Sequence, residues 1–156
     1  MPVAIEVQKQ SPLKTIAHPP KQYPEITGQS VASFHEGAGF NYLFVVPQDQ
    51  AAKFVYDEDA KTLYLDPEVA NGLPSPYNFS IATGDTEFLT TSVIYKKTEV
   101  EIDDLGFLTF DGSSNVKAVK NVDEPYHYSK ENYALVKYDS DAPEGAVSVL
   151  LQAVDA

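Results

Sequence analysis

The stretch KFVYDEDAKTLYLD, residues 53–66, holds two short runs of aromatic, β-branched and aliphatic residues around the polar insert DEDAK. Short runs of this composition, bounded by turn residues, are strand signals, and a gap this small joins them as a hairpin. The expected pairing sets Phe54 and Tyr56 across from Leu63 and Leu65, or from Tyr64 in the alternative register. A hairpin fixes a local shape. The rest of the chain repeats its grammar.

Toward the C-terminus come NFSIAT (78–83), EFLTTSVIY (87–95), TEVEID (98–103), FLTF (107–110), NVKAVK (115–120), YALVKYD (133–139) and AVSVLLQAV (146–154); FNYLFVVP (40–47) lies on the other side. The separators NGLPSP, TGD, DDLG, DGSSN and DAPEG have turn chemistry. VEIDDLGFLTF reads as a second hairpin in which Gly106 takes a positive φ. HEGAGFN lacks the Lys and following helix of a phosphate loop, and its small residues predict a bulge or tight bend. No window sustains apolar residues at helical spacing, and no period marks a repeat array. The expected fold is all-β, a single-domain antiparallel β-sandwich or barrel of about ten short strands.

Composition changes near residue 28. Five of the 11 prolines fall within the first 24 residues, which predicts an extended Pro-rich N-terminal arm, 1–28, ahead of an all-β domain, 29–156. Alternation in VAIEV allows one short edge strand within the arm. The arm carries three Lys and two Glu, net +1, and the domain eight Lys and 21 acids, net −13.

Net charge is −12 and every basic residue is Lys. An acidic chain without arginine is a poor match for nucleic acid or an anionic membrane surface. The absence of cysteine removes thiol catalysis, disulfides and Cys-bound zinc. No apolar run approaches a membrane span, and no signal peptide is visible at the start, so a cytoplasmic protein and a mature secreted form both fit.

Catalytic, metal and cofactor signatures are not found. Asp57, Glu58 and Asp59, the pair Asp103 and Asp104, and the loop Asp139, Asp141 and Glu144 lack the spacing of a calcium loop and read as solvated turns. No serine stands in a nucleophile elbow, although scattered carboxylates keep a hydrolase as an alternative. His18 falls in the arm. His35, followed by Glu36 and two glycines, is the more interesting histidine. Asn78-Phe79-Ser80 is an N-glycosylation sequon.

Tyrosine is the residue in unusual supply, ten in all, and YHYSKENYALVKYD (126–139) holds four of them. In YALVKY, Tyr133 and Leu135 share one face and Ala134, Val136 and Tyr138 the other, which describes a strand buried on both sides. EPYHYSKEN is more polar. Read as extended chain, it puts Tyr126 and Tyr128 on one exposed face, with His127 opposite. A ring with a hydroxyl suits sugars, so Tyr126, Tyr128, His127 and His35 are the candidate ligand-binding residues.

In layout, VASFHEGAGFNYLFV, KTLYLD, EIDDLGFLTFDGS and the late pair YALVKYD with AVSVLLQAV resemble fungal secreted cell-wall proteins related to the phialide wall protein, and similar yeast extracellular proteins. The resemblance covers residues 29–156. Cysteines, a signal peptide and tryptophan, common in such proteins, are missing here. What it implies is a non-enzymatic, extracellular or cell-wall role on a β-sandwich-like fold. The partner is then a carbohydrate held weakly by exposed tyrosines. The alternative to this is a carrier of a small apolar ligand in an interior aromatic cavity. Self-association through a strand edge or the arm is a further expected contact.

Overall fold

Strands form where alternation sends one set of side chains into a common core and the other toward a second layer. The computed structural model describes residues 2–8, 29–65, 77–84, 86–110, 116–122, 124–138 and 145–155. Among them are strands β1 (Pro2–Gln8), β2 (Ser30–Gly37), β3 (Phe40–Val46), β4 (Phe54–Asp57), β5 (Thr62–Leu65) and β6 (Asn78–Ile81). These are followed by β7 (Glu87–Ser92), β8 (Val100–Ile102), β9 (Leu108–Phe110), β10 (Val116–Val119), β11 (Ala134–Lys137) and β12 (Val147–Asp155). The remaining regular pieces are single 3-10 turns, Gln48–Gln50 and Tyr128–Lys130. The all-β expectation holds.

The large sheet runs β10-β12-β1-β4-β5-β6-β7-β11-β3-β2, and β10 also pairs with β11. That second pairing bends the sheet into a closed circuit of eight strands, from β10 through β12, β1, β4, β5, β6 and β7 to β11. Closure removes most open edges. β3 and β2 extend from the circuit as a flap, and β8–β9 form a separate hairpin. Two features differ from the expected arrangement. β1 is parallel to both its neighbours, so the sheet is not purely antiparallel. It also lies between β12 and β4 rather than on an edge, with Pro2 at its first position, where a missing ladder donor is tolerated. Residues 9–28, the bulk of the expected arm with His18, lie outside the described residues, as does the turn 139–144.

The registers follow the hydrophobic pattern. β4 and β5 pair Phe54 with Leu65 and Tyr56 with Leu63, the first of the two registers expected. Interior residues such as Phe54, Phe79, Phe110, Leu63, Leu89 and Leu135 are fully buried in the main core. Burying each such side chain contributes about 1.5–3 kcal/mol. A second cluster lies on the outer face: Tyr42, Phe44, Phe88, Ala134 and Val136, with Phe34, Phe40, Tyr95 and Tyr128 half-buried against it. β11 serves both layers, Leu135 inward and Ala134 and Val136 outward, as its two apolar faces require.

The hairpin β8–β9 is tied to the closed sheet. The buried Tyr56 hydroxyl donates to Val100 O at 2.7 Å, and Ala153 N–H donates to Gly106 O at 2.7 Å. Gly106 has φ +90°, as its turn demands. Asp103 Oδ1 accepts from the N–H groups of Leu105 and Phe107, both at 2.9 Å, and Asp57 Oδ1 accepts from Asp59 and Ala60 in the β4–β5 turn. These turn acids thus organise backbone.

Candidate functional site: an aromatic loop seated on two buried carboxyls

The segment 124–130 does not continue as a strand. Backbone bonds from His127 N–H to Glu124 O, Lys130 N–H to His127 O and Asn132 N–H to Tyr128 O wind it into a tight loop and a 3-10 turn. His127 supplies the pivot, with φ 57° and ψ 29°, in the left-handed region that few side chains adopt. Extended geometry therefore misplaces the tyrosines. Tyr126 and Tyr128 do not lie side by side on a flat face; their rings meet edge to face at 5.9 Å. Tyr126 is 51% exposed. Tyr128 is wedged inward, 5.1 Å from Phe34 and 5.9 Å from Phe44, with Phe34 stacked on Phe44 at 4.9 Å.

His35 and Tyr126, 91 positions apart in sequence, come together with ring centroids 5.6 Å apart. β2 brings this about. Its pairing with β3 slips between His35 and Gly37, leaving Glu36 as the extra residue of a bulge ahead of the turn at Ala38 and Gly39, where Gly39 has φ +83°. The bend read from HEGAGFN is there. His127 is exposed at the loop's pivot, and no ring contact joins it to the tyrosines among the described residues.

Glu36 and Glu124 were not legible as a pair. They are 1% and 3% exposed, directly beneath the aromatic loop. Tyr126 N–H donates to Glu36 Oε1 at 3.0 Å, and Tyr128 N–H donates to Glu124 Oε1 at 2.9 Å. The hydroxyl of buried Ser129 lies 2.9 Å from Val122 O, to which it donates, and 3.3 Å from Glu124 Oε2. Glu124 is the titratable neighbour that acts on Glu36. Burial above all, then the neighbouring Glu124 carboxyl, pushes the Glu36 carboxyl up to about 8, against the pull of the Tyr126 N–H. Tyr42 of β3, stacked on Phe88 at 4.1 Å, is pushed above the usual phenol range by burial, with Tyr95 and both glutamates adding to it. A buried acid pair, each member holding a backbone N–H of the loop, is not the glycosidase arrangement, whose carboxyls flank an open cleft.

On the far side of the same segment, Glu131, Asn132 and Tyr133 wall a surface groove of about 250 Å³ with Val46, Pro47 and Lys120. Lys120 Nζ sits 4.6 Å above the Tyr133 ring. Its lining mixes the apolar Val46, Pro47 and Tyr133 with the charged Lys120 and Glu131. Among the described residues no group of three or more His, Asp or Glu is placed to hold a metal ion, and no helix is long and apolar enough to cross a membrane. Asn78 lies half-buried on β6, paired with Tyr64 and Ser92. Ser80, the third sequon residue, is fully buried, its hydroxyl 2.7 Å from Thr90 Oγ1 and 2.8 Å from Ser92 Oγ.

Residues 8–155 match a family model described as a domain of unknown function, DUF7907. Over 130 residues, 83% of the chain, the sequence is 36% identical to "Cell wall protein PGA31" of Candida albicans. "Cell wall protein PGA30" of the same organism is 33% identical over 79% of the chain, and "Cell wall protein RHD3" 31% identical over 76%. The chain spans about two fifths of the first two proteins, 41% each, and 56% of the third. No solved structure matches. The similarity to fungal cell-wall proteins seen in the strand layout is borne out, and with it an extracellular or cell-wall location.

Proposed function

The chain belongs to the DUF7907 family, and from that footing we propose that it is a non-enzymatic cell-wall domain that holds wall polysaccharide weakly through an aromatic platform. The observation that supports this is the exposed Tyr126 ring beside His35, braced from behind by Tyr128 and fixed in the backbone by Glu36. An exposed ring held rigidly loses little conformational freedom when a sugar stacks on it. With no charged residue supplying the grip, affinity is low, on the order of 1 kcal/mol per stacked ring. His127, at the exposed pivot, is a secondary contact.

The test is retention on insoluble β-glucan and on chitin, comparing the parent protein with Tyr126→Ala. Loss of one stacking ring lowers retention about fivefold. Undiminished retention by the variant, or none by the folded parent, removes the platform from the function.

We also propose Asn78 as a glycan acceptor. Because the Ser80 hydroxyl is sealed among Thr90 and Ser92, the glycan is added before β6 docks. Material from a eukaryotic secretory host should lose one glycan mass on Asn78→Gln. Forms that differ only by the one methylene of the substitution would exclude the site.

A further inference from the structure

Two carboxyl groups are buried beneath the platform, and ionised carboxylates, being acceptors alone, cannot bond each other. Glu36 Oε1 already takes the Tyr126 N–H, whereas no protein donor among the described residues reaches Glu36 Oε2. A buried oxygen left this way is costly unless something supplies a hydrogen. A proton on Glu36, donated to Glu124, satisfies both groups at once. The titratable groups that act around it are Glu124 from the loop, Tyr42 from β3 and, beyond it, Tyr95 after β7. None of these brings a positive charge. The sequence neighbour His35 is exposed, toward Tyr126.

Each carboxyl also holds a backbone N–H of a platform tyrosine, Tyr126 on Glu36 and Tyr128 on Glu124. The pair is therefore the clasp between β2 and the loop. We propose that one proton shared by Glu36 and Glu124 is a switch that holds residues 124–130 in the ligand-ready arrangement, and that its loss releases the platform. This inference rests on the polysaccharide-binding reading for its functional consequence, though not for the switch itself. The direction follows from the proton count. The folded protein keeps a proton on Glu36 that the unfolded chain releases near the ordinary value of 4.5. The favourable contribution is complete below that pH and is lost as pH rises toward and through about 8. Two negative charges then share one dry site and push apart.

Glu36→Gln separates this from a merely structural role, since its amide donates to Glu124 at every pH while its oxygen still accepts from Tyr126. The readouts are the Glu36 ¹³Cδ signal and the ring signals of Tyr126 and Tyr128, followed by NMR from about pH 5 to about pH 9, below the range where tyrosine titrates. In the parent protein all three should move together, with a midpoint near 8. In Glu36→Gln the ring signals should stay in their acid positions. Retention on β-glucan should fall about fivefold across the range in the parent and stay level in the variant. Ring signals that do not move in the parent, or that titrate unchanged in the variant, overturn the switch. Glu124→Gln, whose amide can donate to Glu36 instead, carries the same expectation should the first variant fold poorly. Moving ring signals with no glucan retention at any pH keep the switch and reject the ligand. Static signals with pH-independent retention do the opposite.

Discussion

Tyr126 and Tyr128, two positions apart, have opposite duties, because the backbone between them turns left-handed at His127. Tyr126 projects into solvent, so Tyr126→Ala should change stability by less than about 0.5 kcal/mol. Tyr128 wedges against Phe34 and Phe44, and Tyr128→Ala removes the keystone of that aromatic stack. It should cost about 2–3 kcal/mol, a partly buried version of the loss seen on truncating core aromatics. Urea unfolding of the two variants checks the contrast, and equal costs would contradict it. The sequence showed tyrosines in abundance and the polar surroundings that expose one of them. It could not show the turn, because YHYSKEN carries no glycine to mark a positive φ. The acid pair was hidden more deeply. Glu36 and Glu124 are 88 positions apart, each flanked by polar or small residues, and composition makes every acid look like surface.

Strands and hairpins were far more readable, since their signal is local. Asp57 and Asp103 stand where their turns need a side-chain acceptor, and the β4–β5 register follows from matching apolar residues across the turn. Parallel pairing of β1 with β12 and β4 escaped the reading, because partners so distant in sequence leave no mark in either strand. The small hairpin β8–β9 offers a test of how elements are joined. Tyr56 spans from β4 to Val100 O, and its buried phenol is pushed above its usual range, chiefly by desolvation. Tyr56→Phe leaves Val100 O without that donor, and should lower stability by about 1–2 kcal/mol. Hydrogen exchange should show faster opening at Val100–Ile102 than in the rest of the sheet. Uniform protection in the variant would mean that the Gly106–Ala153 bond suffices. By contrast the Lys61–Glu101 ion pair, 2.7 Å long but with both side chains well exposed, joins the same elements weakly.

At the scale of the molecule, the proposed roles converge on the outer layer of a closed circuit of strands. The binding reading, the acid clasp and the groove at Lys120 all use the one segment, residues 120–133, that lies across that layer between β10 and β11. The circuit has another consequence, in time rather than in space. β12 stands between β10 and β1, and β1 between β12 and β4, so residues 2–8 wait for residues 147–155 before both their sides are paired. Contacts of such long sequence separation make folding slow. A chain held on the ribosome with β12 inside the exit tunnel has an unsealed sheet and should be cut readily by protease, whereas a chain whose β12 has emerged resists. Equal resistance before β12 emerges would show that the sheet does not depend on it. In this design the order of synthesis delays the sealed sheet until β12 has been made, and up to that point the domain stays loose enough to be threaded through a narrow pore.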